Sequence, residues 1–261
     1  MNQVKVTGII LSTSPIKEYD RRVVILTKEK GKITAFANGA RRPNSPLVGA
    51  VNPFSFGEFI LYEGSSSYTM KSAKITHFFE ELRSDFQGIH YGFYFFEIVD
   101  YFAKEENDEK ETLKLLYLTL KALINPNISN ELIRRIFELK MLAINGMAPE
   151  VFVCFKCGDK EKEKLFSVDT GGLICRDCIL QVRGQINSSP LNGKFMEEGV
   201  GLHPSTLYAM QHIISSKVES LYTFGLSEEV LREFIDVVEK IYWIYVDKKF
   251  NSLEMLIGVK E

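Results

Sequence analysis

The chain of 261 residues has a net charge of −2 and is 45% apolar, enough to build a buried core, which argues against a disordered chain. It contains no run of eighteen apolar residues, and residues 1–11 alternate as a strand does instead of forming a charged-then-apolar leader. Neither a membrane span nor a signal peptide is therefore expected, and the predicted location is the cytoplasm.

The near-neutral total hides an asymmetry. Residues 1–79 hold eleven Lys and Arg against five Asp and Glu, a net +6, which leaves −8 for the rest of the chain. A basic segment of this kind fits a polyanionic partner; ordinary surface charge is the plainer alternative.

From Gln3 to Ile75 the apolar residues recur with period two in short runs: Val4–Leu11, Arg22–Thr27, Lys32–Ala37, Phe54–Tyr62 and Tyr68–Ile75. Five such strands in this length predict a small closed barrel. Lys30-Gly31 supplies a tight hairpin turn, and Gly39–Val51, with Pro43 and Pro46, reads as a longer mobile loop. After Thr76 the period becomes helical. The aromatic cluster from Phe78 to Phe102 is expected to form a packed seam and not a ligand box. Asp108 with Glu111 resembles a capping box for a helix through Leu123, stopped by Pro126. Helices are also expected over Glu131–Ile144, Ser205–Ser216 and Ser227–Lys249. The predicted class is α+β: an OB-fold β-barrel domain over residues 1–79, then an α-helical domain over 80–261 with an inserted zinc-binding module at about 151–182.

All four cysteines lie within that module, as Cys154-x2-Cys157, seventeen residues, then Cys175-x2-Cys178. Two residues between thiolates let each pair form a knuckle, and two knuckles complete a tetrahedron around one Zn²⁺. Two disulfides would need an oxidising compartment, and a redox Cys-x-x-Cys would need a βαβ setting that is missing here. Four thiolates close the coordination shell, so the zinc is expected to be structural. None of His77, His90, His203 and His212 has a Glu two residues on, as a zinc deaminase would require.

No phosphate-binding loop, dinucleotide fingerprint or nucleophile elbow occurs, so no nucleotide cofactor and no enzymatic activity are predicted. On the third strand Lys32, Thr34, Phe36 and Asn38 should face away from Ile33, Ala35 and Ala37. That outer face pairs charge for phosphate with a ring for a base, as single-strand-binding barrels do; packing of Phe36 against the helices is the rival reading. Arg21, Arg22, Lys71 and Lys74 come from neighbouring strands, and Arg41 and Arg42 from the following loop, where packing does not explain adjacent arginines. These eight, Arg21, Arg22, Lys32, Phe36, Arg41, Arg42, Lys71 and Lys74, are the candidate nucleic-acid contacts, of a kind that reads the backbone with little sequence preference.

The runs Gly8-Ile9-Ile10-Leu11, Glu18-Tyr19-Asp20-Arg21-Arg22-Val23-Val24-Ile25-Leu26-Thr27, Gly31 to Pro43 and Pro53-Phe54 resemble the N-terminal domain of the RecO family, and the cysteines in a helical region resemble its zinc-bearing members. The resemblance implies binding of single- and double-stranded DNA, annealing of complementary strands, cooperation with RecR, and loading of recombinase onto DNA coated by single-strand-binding protein, whose acidic Phe-ended tail docks on the helical region. It departs from the family at Asn38 and Pro46, where or near where basic residues are common. Two rivals remain: a zinc-ribbon RNA-binding or transcription accessory factor, and a metal-dependent hydrolase of nucleic acid.

Overall fold

A computed structural model describes residues 2–65, 67–168, 171–186 and 201–258. The described residues form two compact units, one from Met1–Asn130 and Lys249–Glu261, the other from Glu131–Lys248.

The first unit opens with five strands: β1 (Gln3–Pro15), β2 (Arg21–Thr27), β3 (Gly31–Ala37), β4 (Phe56–Glu63) and β5 (Tyr68–His77). They close into a barrel in the order β1-β2-β3-β5-β4. Neighbours are antiparallel except β3 and β5, which pair in parallel through Ala35↔Tyr68 and Phe36↔Thr69. The period-two signal is realised directly: along β3 Ile33, Ala35 and Ala37 are buried while Lys32, Thr34 and Phe36 are only partly covered. The inward residues join Val6, Ile10, Val23, Ile25, Phe59 and Leu61 in one core.

At the β2–β3 turn, Thr27 pairs with Gly31, and the Thr27 hydroxyl donates to the Gly31 carbonyl at 2.8 Å while accepting from the Lys30 amide at 3.0 Å. Gly31 has φ +65°, and a Cβ there would stand 2.3 Å from the Lys104 carbonyl oxygen. Only glycine meets both demands.

The loop expected over Gly39–Val51, with its two prolines and two glycines, is a loop that packs. The segment winds through successive turns, with amides of Arg42, Ser45 and Val51 donating to carbonyls of Gly39, Arg42 and Leu47. Ala40, Leu47 and Val51 are buried in the barrel core. Leu47 and Val51, four residues apart, are the apolar anchors that the turn-forming residues mask.

The helices are α1 (Glu80–Ser84), α2 (Phe86–Phe102), α3 (Lys110–Leu123), α4 (Asn130–Ile144), α5 (Arg176–Ile186), α6 (Pro204–Ser215), α7 (Glu228–Tyr245) and α8 (Asn251–Gly258). Among the described residues no helix is long and apolar enough to cross a membrane. The aromatic cluster is a packed seam for the most part: Phe79, Tyr91, Tyr94, Phe95 and Phe96 are buried, whereas Phe86 and Tyr101 are exposed. Phe54 reaches into this seam, with ring centroids 5.1 Å from Phe93 and 4.6 Å from Phe96. At the start of α3 the cap is Glu109, not Asp108. Asp108 accepts from the Lys110 amide, while the Glu109 carboxylate turns back to the Lys104 amide at 3.2 Å.

In the second unit α4 carries buried charge. The guanidinium groups of Arg134 and Arg135 each donate to Glu138 at 2.8 Å, and Arg135 also reaches Glu239 of α7 at 2.8 Å. Lys140 donates to the carbonyls of Ile214 and Ser216 at the end of α6, at 3.3 and 2.8 Å, satisfying acceptors that the helix terminus leaves open. Helix α7 stops four residues short of the sequence expectation, because Val246 turns to extended backbone and buries its side chain.

Candidate metal centre and nucleic-acid interface

The chain around the cysteines is a short hairpin, β6 (Lys164–Ser167) against β7 (Gly172–Cys175), running directly into α5. Cys154 and Cys157 come from a knuckle in which the Gly158 amide donates to the Cys154 carbonyl at 2.8 Å. Gly158 has φ +73°, a value that lets the chain reverse beneath its own thiols. Cys175 ends β7 and Cys178 stands in the first turn of α5. The knuckle is tied to the hairpin by the Phe155 amide, which donates to the Leu173 carbonyl at 2.8 Å.

The four sulfurs all lie within 4.8 Å of one another. Cys154, Cys175 and Cys178 are buried beside Ile174 and Ile179, and Cys157 is exposed. Burial pushes the Cys154 thiol up, but amide hydrogen bonds led by that of Cys175 outweigh it and bring it down to about 6. Burial, reinforced by the neighbouring thiols, pushes Cys178 up to about 12. Four sulfurs this close cannot all carry negative charge unless a cation compensates it. A set of four soft thiolates with that need fits a metal ion, and a tetrahedral one in particular.

The barrel brings several of the predicted basic residues together. Arg22 on β2 stands opposite Phe36 on β3, Phe36 opposite Thr69 on β5, and Thr69 opposite Tyr62 on β4. The Lys71 ammonium lies 5.4 Å from the Tyr62 ring centre, and Arg22 reaches Thr34 at 3.4 Å. The result is a strip across four strands that reads cation, ring, hydroxyl, ring, cation. Arg41 and Arg42 are exposed. They are not free-swinging: Arg41 donates to the Lys17 carbonyl at 3.3 Å, and the Arg42 guanidinium covers the Tyr19 ring at 5.2 Å. Arg21 lies at the barrel rim opposite Ala37, half-buried.

Two candidates are set apart from this group. Lys32 makes an ion pair with Asp100 at 3.1 Å, so its charge is compensated internally. Lys74 stands opposite Glu58, whose carboxyl is held below its usual range by a hydrogen bond from Lys5 and further by Lys74. Sequence reasoning missed Tyr62 and Tyr19. The signal for Tyr62 was present, since period two along β4 puts it on the same outer face as Phe56 and Glu58.

A family profile described as Recombination protein O N terminal matches residues 1–79, and one described as Recombination protein O C terminal matches residues 83–254. The chain belongs to the RecO family. Proteins named DNA repair protein RecO are similar along almost their whole length: that of Acetivibrio thermocellus is 31% identical over 98% of this chain and 97% of its own. For that of Alkaliphilus metalliredigens the values are 30%, 97% and 98%. The RecO of Bacillus pumilus is 31% identical over 74% of this chain and 75% of its own. The RecO profiles meet where the period changes from two to helical, after β5, whereas the packing of the chain divides it at Asn130.

Proposed function

We propose that this chain is a recombination mediator in DNA repair, which binds the DNA backbone through the barrel, anneals complementary single strands and helps load recombinase onto DNA coated by single-strand-binding protein. One observation carries the reading: the strip Arg22, Phe36, Thr69, Tyr62, Lys71 across four strands, with Arg42 set over Tyr19 and Arg41 held on the Lys17 carbonyl nearby in sequence. Cations neutralise phosphates and rings accept bases face-on, so strands can be held extended without sequence choice. The chemistry makes and breaks no covalent bond. Two strands whose phosphates are neutralised approach without mutual repulsion and pair.

The cysteine tetrad takes one structural Zn²⁺, held by Cys154, Cys157, Cys175 and Cys178. Bound there, the ion fixes the two knuckles against the hairpin and supplies no reacting group. Recruitment follows from the RecO resemblance: RecR and the acidic, Phe-ended tail of single-strand-binding protein are the expected partners. In the second unit a groove of about 610 Å³ between α6 and Thr223–Leu226, lined by Tyr208, Ala209 and Phe224, offers an apolar side chain of such a tail a seat.

The test is annealing of complementary fluorescent oligonucleotides coated with the cognate single-strand-binding protein, in the absence of ATP. Acceleration by the protein that falls when Arg41 and Arg42 become alanine supports the reading. No acceleration by folded, zinc-loaded protein, or a rate unmoved by salt, refutes it. A preference for RNA over DNA of equal sequence would favour the RNA-binding alternative.

A further inference from the structure

The turn between β1 and β2, residues 16–20, is closed by the Ile16 amide, which donates to the Asp20 carbonyl at 3.2 Å. The turn also holds the chain that follows β3. The Asp20 carboxylate accepts from the Gly39 amide at 2.8 Å, and the Tyr19 carbonyl accepts from the Arg41 amide at 2.9 Å. The Arg41 guanidinium donates to the Lys17 carbonyl at 3.3 Å, and that of Arg42 stands 5.2 Å from the centre of the Tyr19 ring. Asp20 and Gly39 stand one and two residues beyond Arg21↔Ala37, the last pair of the β2–β3 ladder, so the register of the barrel brings the two segments together.

Charge alone would choose a different arrangement. Among the described residues Asp20 forms no ion pair with Arg41 or Arg42. Its carboxylate is bonded instead to the amide of Gly39, whose φ of +67° reverses the chain ahead of the two arginines. A second turn follows at once, with the Arg42 amide donating to the Gly39 carbonyl at 3.0 Å. The Arg42 side chain folds back over Gly39, its Cδ 3.7 Å from where a Cβ would stand. Both arginines are nevertheless exposed. A long cation held at its backbone and against a ring loses less freedom on meeting a phosphate than one that swings in solvent.

We propose that Asp20 and Tyr19 are positioning residues of the barrel's DNA site: the Asp20 carboxylate sets the loop at Gly39 and the Tyr19 ring sets Arg42, so that Arg41 and Arg42 meet the phosphates of a single strand already ordered. This deepens the backbone-binding function proposed above and rests on it. It also reverses the sign that electrostatics alone gives. An acid at the root of two phosphate-binding arginines repels DNA, so its deletion should tighten binding. As a positioning residue, its deletion loosens binding.

The experiment uses the full zinc-loaded chain and fluorescence anisotropy with a ten-nucleotide single strand; thermal unfolding checks that each variant is folded. Asp20→Asn keeps an oxygen for the Gly39 amide and removes the charge, whereas Asp20→Ala removes both. The expected affinity of Asp20→Asn equals or exceeds that of the parent, and that of Asp20→Ala is about fivefold lower. Tyr19→Ala should weaken binding about threefold, and Tyr19→Phe should change it less than about twofold, because the ring is what faces Arg42. Combined variants separate indirect from direct action. Adding Tyr19→Ala to Arg42→Ala should have no further effect, whereas with Phe36→Ala the two losses should multiply. Asp20→Ala binding as tightly as Asp20→Asn overturns the inference and leaves the barrel function standing. So does a Tyr19→Ala loss that persists in full beside Arg42→Ala, which would make Tyr19 a base-stacking contact of its own. Should Asp20→Ala not fold, the Tyr19 series decides alone. A parent that does not bind, or a double Arg41→Ala, Arg42→Ala variant that binds as the parent does, overturns the DNA contact proposed for these arginines and this inference with it.

Discussion

Replacing Arg41 and Arg42 by alanine should change how binding depends on salt in a calculable way. Of the candidate cations on the strip and rim, four are exposed and have no carboxylate partner among the described residues: Arg22, Arg41, Arg42 and Lys71. For single strands each neutralised phosphate contributes about −0.7 to the slope of log K against log salt, so four give about −2.8 and the double variant about −1.4. Between 50 and 200 mM salt the affinity of the parent should fall about fifty-fold and that of the variant about sevenfold. Fluorescence anisotropy with a ten-nucleotide strand measures both curves. Phe36→Ala, by contrast, should weaken binding by about 1–3 kcal/mol at every salt concentration and leave the slope alone, because stacking releases no counterions. Equal slopes for parent and double variant would show that these arginines do not touch phosphate, and a slope change with Phe36→Ala would show that the ring's role is misassigned.

Further outcomes follow from the packing. Cys154→Ser should abolish stoichiometric zinc, measured by elemental analysis, and expose residues 151–182 to protease while the barrel's circular dichroism is kept; binding of comparable sites is worth about 10–16 kcal/mol. Zinc affinity should rise with pH, because Cys178, held protonated at neutral pH by burial, must release its proton to ligate. Glu138→Ala removes the buried carboxylate on which Arg134 and Arg135 converge, leaves them Glu239 as an acidic partner, and should cost about 3–5 kcal/mol, read as loss of amide-exchange protection in α4. Gly31→Val meets both the positive φ and the Lys104 carbonyl at 2.3 Å. The backbone penalty alone is about 1–2 kcal/mol, and thermal unfolding should show a lower midpoint.

The barrel was legible because its signal is local. A strand with one buried face must alternate, and β1 to β5 do so with only a few residues' difference at their ends. The cysteine spacing was legible for a similar reason, since two short knuckles have few ways to meet. The loop over Gly39–Val51 was legible as a loop, but its packing was not, because proline and glycine mark turns without saying whether the turns pack. The α3 cap was misread because Asp108 and Glu109 both offer an oxygen near the helix start, and the choice depends on the Lys104 amide reaching Glu109. The outer strip was half legible: alternation gave Phe36 and Lys32 the same face. Pairing across the sheet, which no single strand reveals, gave Phe36 its neighbours Arg22 and Thr69, and an ion pair with helix α2 gave Lys32 to Asp100.

That last pairing bears on mechanism. A protein that anneals strands must also let the duplex go, so tighter binding to phosphate is not simply better. Lys32 sits on the same outer face as Phe36, yet Asp100 holds its ammonium at 3.1 Å, and Lys74 is set against Glu58. Internal carboxylates therefore cap the number of phosphates the barrel can neutralise. Asp100→Asn removes the competing charge and returns Lys32 to the outer face. The salt slope for a short single strand should then steepen by about 0.7, affinity at low salt should rise, and multiple-turnover annealing should slow as product release becomes limiting. If affinity rises and turnover rises with it, release is not the limiting step and the carboxylate serves only to pack β3 against α2. The Lys32 ammonium also donates to the Asp100 backbone carbonyl, and an unchanged slope would mean that it stays bound there and never meets DNA.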